Sequence, residues 1–164
     1  MKIGKLEFNP GDHTYIMGIL NVTPDSFSDG GRFSILDSAI GHALFMAEEG
    51  ADIIDIGGES TRPNHNKVTE EEEISRVIPV IKELVKVLDI PVSIDTSKAS
   101  VAKAAIDAGA LMINDVWGFK KDPDIAELAA TTGVFCCLMH NRDNTNYSNL
   151  IYDIKEELLE SINI

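Results

Sequence analysis

Short apolar runs alternate with longer amphipathic segments along most of this chain. The apolar runs are rich in Ile, Val and Leu and have the length of buried strands. The amphipathic segments repeat apolar residues at the spacing of one helix face. The predicted strands are residues 15–20, 52–56, 91–94, 111–113 and 134–139. The predicted helices are residues 35–49, 69 to about 88, 97–108, 122–133 and 149–162.

Local signals mark the ends of the predicted helices. Thr69 and Glu72 form a capping box, and the acidic residues that follow Thr69 suit the positive end of a helix dipole. Glycines stand where helices end, at positions 50, 109 and 133, and each is followed by a buried strand. This repeated order predicts right-handed crossovers and a parallel sheet.

Two parallel architectures satisfy this order, a doubly wound sheet and a barrel. No G-x-G-x-x-G sequence follows the first strand, which argues against a dinucleotide-binding fold. Polar residues at the strand ends favour the barrel, where they all face the rim that carries the active site. We therefore predict an α/β fold, a parallel (β/α)8 TIM barrel. Residues 1–164 would supply about its first five βα units as one partial domain.

Composition narrows the choice of partners. The formal charge of -13, from 27 acidic and 14 basic residues, makes nucleic acid and anionic membranes poor partners. No apolar run is long enough to cross a bilayer, and we expect no signal peptide. Cys136 and Cys137 are neighbours that point to opposite faces of a strand, so we predict free thiols and a reducing cytoplasmic location.

Polar side chains follow every predicted strand. The endings are Asn21, then Glu59-Ser60-Thr61-Arg62, then Asp95-Thr96-Ser97-Lys98, then Asn114-Asp115, then His140-Asn141-Arg142. One such ending carries little information, because Asp, Asn, Ser and Thr also cap helices. Polar endings on all the strands indicate a polar site at one rim of the barrel.

Asp95 is the most informative of these residues. A carboxylate at the mouth of an apolar strand costs free energy unless it accepts hydrogen bonds. Either Lys98 is its partner, or Asp95 accepts the paired N–H groups of a flat heterocycle that Asn114 also contacts. Arg62 is either a solvated loop residue or an anion clamp. His140 is either a catalytic base or a supporting or surface residue.

Five motifs carry a resemblance to a known family. They are, in order, MGILNVTPDSFSDGG, DIGGESTRP, SIDTSK, INDVWG and LMHNRD. Over essentially its whole length the chain resembles the dihydropteroate synthases of Gram-positive bacteria. The resemblance implies folate biosynthesis, in which 4-aminobenzoate and 6-hydroxymethyl-7,8-dihydropterin pyrophosphate give 7,8-dihydropteroate and pyrophosphate. It also implies a Mg²⁺ cofactor, a homodimeric complete enzyme and a target of the sulfonamides.

The resemblance assigns the pterin site residue by residue. Asp95 and Asn114 would bind the pterin ring, with Val116 and Met139 lining its pocket. An ionised Asp95 would favour the positive charge that develops on the pterin as pyrophosphate departs. The catalytic residues that the resemblance implies are Asp29, Arg62 and Asp95.

The remaining roles concern the pyrophosphate, the metal and the second substrate. The resemblance implies that Thr61 and Arg62 bind the pyrophosphate and that Asn21 binds Mg²⁺. One amide can be the only protein ligand of Mg²⁺, because the ion usually keeps several waters and takes further ligands from phosphates. The 4-aminobenzoate would contact Phe27, Asp29 and Pro63.

The chain departs from the family pattern after Met139. The family continues with an Asp-Pro-Gly strand end, a Lys-bearing loop and an Arg-x-His ending, none of which follows here. We therefore expect strands six to eight to be absent, and the isolated chain to be neither a stable monomer nor an active synthase. Two alternatives stay open. One is a methyltetrahydrofolate-dependent methyltransferase barrel, against which the loops after the first two strands argue. The other is a non-catalytic pterin-binding remnant.

Overall fold

The computed structural model describes residues 1–9, 11, 13–23, 32–59 and 68–164. The strands in this part of the chain are β1 (Lys2–Ile3), β2 (Leu6–Glu7), β3 (Met17–Asn21), β4 (Ile53–Gly57), β5 (Val92–Asp95), β6 (Met112–Asp115) and β7 (Phe135–Leu138). The helices are α1 (Arg32–Glu48), α2 (Glu70–Val87), α3 (Ala99–Asp107), α4 (Asp124–Thr132) and α5 (Leu150–Ile162). Every predicted strand and helix is confirmed, with ends displaced by a few residues.

The larger sheet identifies the architecture. Within the described residues it holds five parallel strands in the order β3-β4-β5-β6-β7, which is also their order along the chain. A helix connects each strand to the next, and α5 follows the last. A doubly wound sheet reverses its strand order at a switch point, whereas a barrel keeps the order of the chain. The prediction of a parallel barrel represented by five βα units is confirmed.

The two faces of this sheet differ because side chains alternate along each strand. One face packs against the helices through fully buried side chains, namely Leu20, Ile54, Ile56, Ile94 and Ile113. The other face, here called the open face, would line the interior of a closed barrel. Its members include Ile19, which is 63% exposed.

Helix α2 begins as its sequence predicts. The Thr69 side chain accepts a hydrogen bond of 3.2 Å from the backbone N–H of Glu72, and Glu70 to Glu73 occupy the first turn. Buried Val77 and Ile81 pack this helix against the sheet. None of the helices in the described ranges is long and apolar enough to cross a membrane.

A hairpin of β1 and β2 was not predicted. Ile3 and Phe8 form a buried cluster with Ile53, and the partly buried Met17 and Phe135 pack against this cluster. Strands of two residues are too short for an alternating pattern to identify. The hairpin covers the open face where β3 and β7 begin, so the accessible end of this face is the carboxyl end of the strands.

Candidate active site at the strand ends

Three polar side chains stand in a row where the parallel strands end. Asn21 pairs in register with Gly57, Gly57 with Asp95, and Asp95 with Asn114. Residues in register share a face of the sheet, so Asn21, Asp95 and Asn114 all lie on the open face. The structure thus brings together the strand-end residues to which the resemblance assigns metal and pterin binding.

Gly57 makes a gap in this row. A Cβ atom there would lie 3.4 Å from Asn21 Oδ1 and 3.6 Å from Asp95 Oδ2. These are ordinary contact distances, so a side chain would fit without distorting the strand. The glycine instead leaves a gap the size of a methyl group between Asn21 and Asp95.

Asp95 carries the carboxyl group of this row. Within the described part of the chain it makes neither a hydrogen bond nor an ion pair. Burial, followed by the negative charges of Asp55, Glu73 and Asp115, raises the pKa of Asp95 from 3.8 to about 7. A group with unused acceptor atoms in such surroundings is suited to a ligand that brings N–H donors.

Lys98 does not pair with Asp95, so that alternative is wrong. The Lys98 Nζ lies 2.5 Å from both Glu59 Oε2 and Glu73 Oε2, and it donates to the Val68 carbonyl at 2.8 Å. Burial disfavours the charged form of Lys98, but hydrogen bonds and charges from the two glutamates outweigh burial and raise its pKa. Lys98 therefore joins the chain on either side of residues 60–67 to the start of α3.

Asp55 lies beneath the row and is part of the site that the sequence reasoning missed. It is 3% exposed, and its Oδ2 accepts a 2.8 Å hydrogen bond from Asn114 Nδ2. Burial raises the pKa of Asp55, while the neighbouring Ser93 hydroxyl and the Asn114 amide lower it by less. The available signal is the charged residue inside the apolar run IIDI. A carboxyl group there has no role as a helix cap, and burying it is costly.

Asp115 does not face the ligand site, contrary to the expectation for a polar strand end. It is completely buried on the helix side, and it accepts hydrogen bonds from the backbone N–H groups of Trp117 at 2.8 Å and Phe119 at 2.7 Å. These bonds fold the turn after β6, where Phe119 has a φ of 67°. The alternation of side chains explains the difference, because Asn114 and Asp115 are neighbours on one strand.

His140 has a supporting role in this structure. Its Nε2 lies 2.9 Å from Glu157 Oε2, and Arg142 Nη2 lies 2.6 Å from Glu157 Oε1. Both side chains thereby bind α5 to the segment after β7. The polar residues after β7 therefore hold α5 in place. Within the described residues, neither His140 nor Arg142 forms an ion pair with Asp95.

The remaining predicted site residues divide into two groups. Val116 follows β6 and is half-buried, whereas Met139 follows β7 and is 46% exposed, so both stand at the expected end of the sheet. Five predicted residues lie outside the described residues, namely Phe27, Asp29, Thr61, Arg62 and Pro63.

Asn21 is a suitable donor for a hard cation. It is exposed at the end of β3, and its Oδ1 borders the gap at Gly57. Among the residues that the structure describes, no group of three His, Cys, Asp or Glu side chains is arranged to hold a metal ion. A cation at Asn21 would therefore take most of its ligands from water or from a bound ligand.

Comparison with known proteins identifies relatives of this chain. The model of a family described as pterin binding enzyme matches residues 17–163. A dihydropteroate synthase of Clostridium beijerinckii is 65% identical over 164 residues, which are 100% of this chain and 61% of that protein. The dihydropteroate synthase of Bacillus subtilis is 56% identical over 153 residues and is covered to 54%. The chain therefore spans little more than half the length of these curated relatives.

Solved structures agree with this comparison. A dihydropteroate synthase of Clostridium difficile, crystallised in the presence of pteroic acid, superposes with a TM-score of 0.93 and 56% identity. The match covers 96% of this chain and 60% of that one. The Yersinia pestis dihydropteroate synthase in complex with a sulfonamide drug superposes with a TM-score of 0.88 and 42% identity, covering 99% of this chain and 61% of that one.

Proposed function

Because this chain belongs to the pterin binding enzyme family, we propose that it forms the pterin side of a dihydropteroate synthase. The reaction joins 4-aminobenzoate to 6-hydroxymethyl-7,8-dihydropterin pyrophosphate and releases pyrophosphate. One observation carries the proposal. The Asp95 carboxyl, which has no partner among the described residues, stands beside the Asn114 amide next to the gap at Gly57.

The pterin ring fits this pair chemically. Asp95 offers acceptor oxygens, and Asn114 offers an acceptor and a donor in one plane. Val116 and Met139 would pack beside the ring. Ring N–H groups that donate to Asp95 would favour its ionised form and lower its pKa from about 7. The ionised carboxylate would then stabilise the positive charge that develops on the pterin.

The bond changes balance without a further reactant. The amine nitrogen of 4-aminobenzoate forms a bond to the methylene carbon of the pterin, while the bond from that carbon to the pyrophosphate oxygen breaks. The electron pair leaves with the pyrophosphate, and the amine gives up one proton. Asn21 would hold Mg²⁺, which supplies positive charge for the departing pyrophosphate.

The roles of the other residues follow the family. Thr61 and Arg62 would bind the pyrophosphate, since a guanidinium can form two parallel hydrogen bonds to a phosphate. Asp29 would contact the amine during its attack. The 4-aminobenzoate ring would lie between Phe27 and Pro63. We further propose that the complete enzyme is a homodimer, that it works in the cytoplasm and that sulfonamides target it.

Calorimetry with the pterin pyrophosphate and Mg²⁺ tests the pterin site. With the protein expressed from its natural gene, Asp95→Asn should weaken binding by about 10- to 100-fold, the effect of losing a charged hydrogen-bond acceptor. The matched control is Asp107→Asn on α3, where the exposed carboxylate pairs with Lys103, and its affinity should equal that of the wild type. Equal affinities for all three proteins would contradict the proposal.

The same titration has an expected pH dependence. The site binds the ligand with Asp95 ionised, and a pKa of about 7 leaves this carboxyl mostly protonated at pH 6. We therefore expect the dissociation constant to rise about tenfold between pH 8 and pH 6. Asp95→Asn removes this titration, so its weaker binding should change little over the same range. A wild type with the same affinity at both pH values would contradict the assigned role of the carboxylate.

A further inference from the structure

We propose that Asp55 is the positioning residue that sets the orientation of the Asn114 amide for recognition of the pterin. The inference rests on the proposed function and extends it to a residue beneath the ligand-contacting row. Its basis is the contact between Asn114 Nδ2 and Asp55 Oδ2 at 2.8 Å, made between side chains on β6 and β4.

Stability of the fold does not explain Asp55. This carboxyl group is 3% exposed on the open face, and within the described residues no Lys, Arg or His side chain pairs with it. Its Oδ1 is buried without a hydrogen bond among these residues, as is Ser93 Oγ on the adjacent strand. Burial of a carboxyl group with one oxygen unsatisfied costs free energy. The gain must come from what Asp55 does to Asn114, whose Nδ2 donates to its Oδ2.

Asp55 contributes by fixing the orientation of the Asn114 side-chain amide. An asparagine amide presents either its oxygen or its NH₂ group to a neighbour, and the two ends are nearly the same shape. A carboxylate attracts the NH₂ group and repels the oxygen, so Asp55 selects one orientation of Asn114. One Nδ2 hydrogen is then used by Asp55. The second Nδ2 hydrogen and Oδ1 remain for a ligand.

This choice defines what the site recognises. With Asn114 fixed, its free donor and acceptor lie in one plane beside the oxygens of Asp95, whose Cα pairs in register with that of Asn114. Such a set complements the edge of a planar ring that carries an acceptor next to an N–H donor. A turned amide would place oxygen against a ring acceptor and NH₂ against a ring donor, and both hydrogen bonds would be lost. Asp55 would therefore determine specificity without touching the ligand.

Variants at position 55 separate positioning from packing. In the protein expressed from its natural gene, Asp55→Ala should raise the dissociation constant for the pterin pyrophosphate with Mg²⁺ by about 10- to 100-fold. The variant Asp55→Asn still offers an acceptor for Asn114 Nδ2 but no longer repels the turned amide, so it should recover part of this loss. The control is Val92→Ala, which removes packing on the helix side of the adjacent strand β5 and should alter the affinity by less than about threefold.

Two further readouts distinguish this role from a purely structural one. Asp55→Ala should raise the KM for the pterin substrate while leaving the KM for 4-aminobenzoate unchanged. The side-chain NH₂ signals of Asn114 in a ¹⁵N NMR spectrum should shift in Asp55→Ala more than in Val92→Ala. A structural defect would instead lower the unfolding free energy and raise both KM values together.

The outcomes separate this inference from the proposed function. Wild-type affinity in Asp55→Ala, together with lost binding in Asn114→Ala, overturns the positioning role and leaves the pterin site intact. Equally weak binding by Asp55→Asn and Asp55→Ala also overturns it, because the restored acceptor would then have no effect. A wild-type protein that binds no pterin contradicts the proposed function, and the inference falls with it.

Discussion

Asp95→Asn should make the unliganded protein more stable at neutral and alkaline pH, although the same change weakens pterin binding. Asp95 has no hydrogen bond or ion pair to lose in the part of the chain that the structure describes. Its carboxylate is surrounded by the acidic side chains of Asp55, Glu73 and Asp115. The neutral amide has nearly the same shape and removes that repulsion.

The size of the effect follows from the pKa. The difference between 3.8 in an ordinary carboxyl group and about 7 in the folded protein corresponds to about 4 kcal/mol at 1.36 kcal/mol for each pKa unit. Asp95 keeps partial contact with water, which reduces the penalty. We therefore expect Asp95→Asn to raise the unfolding free energy by about 2 to 4 kcal/mol above pH 7.

The direction of the pH dependence is fixed by linkage. A raised folded-state pKa means that the folded protein holds a proton that the unfolded chain has released. The unfolding free energy of the wild type therefore falls as pH rises from about 4 to about 7, and the loss is complete above that range. Asp95→Asn has no such titration. Asp55 and Asp115 also have raised pKa values, but both proteins contain them.

Urea unfolding at pH 4, pH 6 and pH 8 measures this difference. The variant and the wild type should have nearly equal unfolding free energies at pH 4. The unfolding free energy of the variant should exceed that of the wild type by a growing amount toward pH 8. The reasoning would be refuted by a difference that is the same at all three pH values. It would also be refuted by a variant that is less stable than the wild type at pH 8.

Two other structural features make testable predictions. Gly57→Ala should weaken pterin binding at least about tenfold while changing the unfolding free energy by less than about 1 kcal/mol, because its Cβ fills the gap at ordinary contact distances. The matched variant Gly58→Ala places a Cβ 2.8 Å from Val77 Cγ1, so it should cost about 1 to 3 kcal/mol in stability. Calorimetry and urea unfolding of both variants check this pair, and a loss of stability in Gly57→Ala with normal binding would contradict it. Lys98→Met should lower the unfolding free energy by about 3 to 5 kcal/mol, since it leaves the 1% exposed Glu73 without its cation. An unfolding free energy within about 1 kcal/mol of the wild type would show that the ion pair contributes little.

Most of the fold could be predicted because each strand and helix carries its own local signal. The apolar runs mark buried strands, and Thr69 with Glu72 marks the start of α2, where the predicted hydrogen bond is present. The hairpin at the amino terminus could not be predicted. Its strands contain two residues each, and their pairing depends on packing against Ile53, which is distant in the sequence.

The site was predictable only where strand order determines position. Asp95 and Asn114 end adjacent strands of a parallel sheet, so their proximity follows from topology. The partners of Lys98 could not be predicted in this way, because Glu73 lies on α2 and Glu59 beyond the end of β4. The face of a strand-end residue depends on the exact end of the strand. A shift of one position separates Asn114 at the site from Asp115 beneath the helices.

Formation of 7,8-dihydropteroate from both substrates tests the central claim most directly. The protein expressed from its natural gene is incubated with Mg²⁺, the pterin pyrophosphate and 4-aminobenzoate, and dihydropteroate and pyrophosphate are quantified by chromatography. We expect the two products in equal amounts, with formation reduced by Asp95→Asn and unchanged by Asp107→Asn. Pterin binding without dihydropteroate would contradict the claim and would indicate a non-catalytic pterin-binding protein.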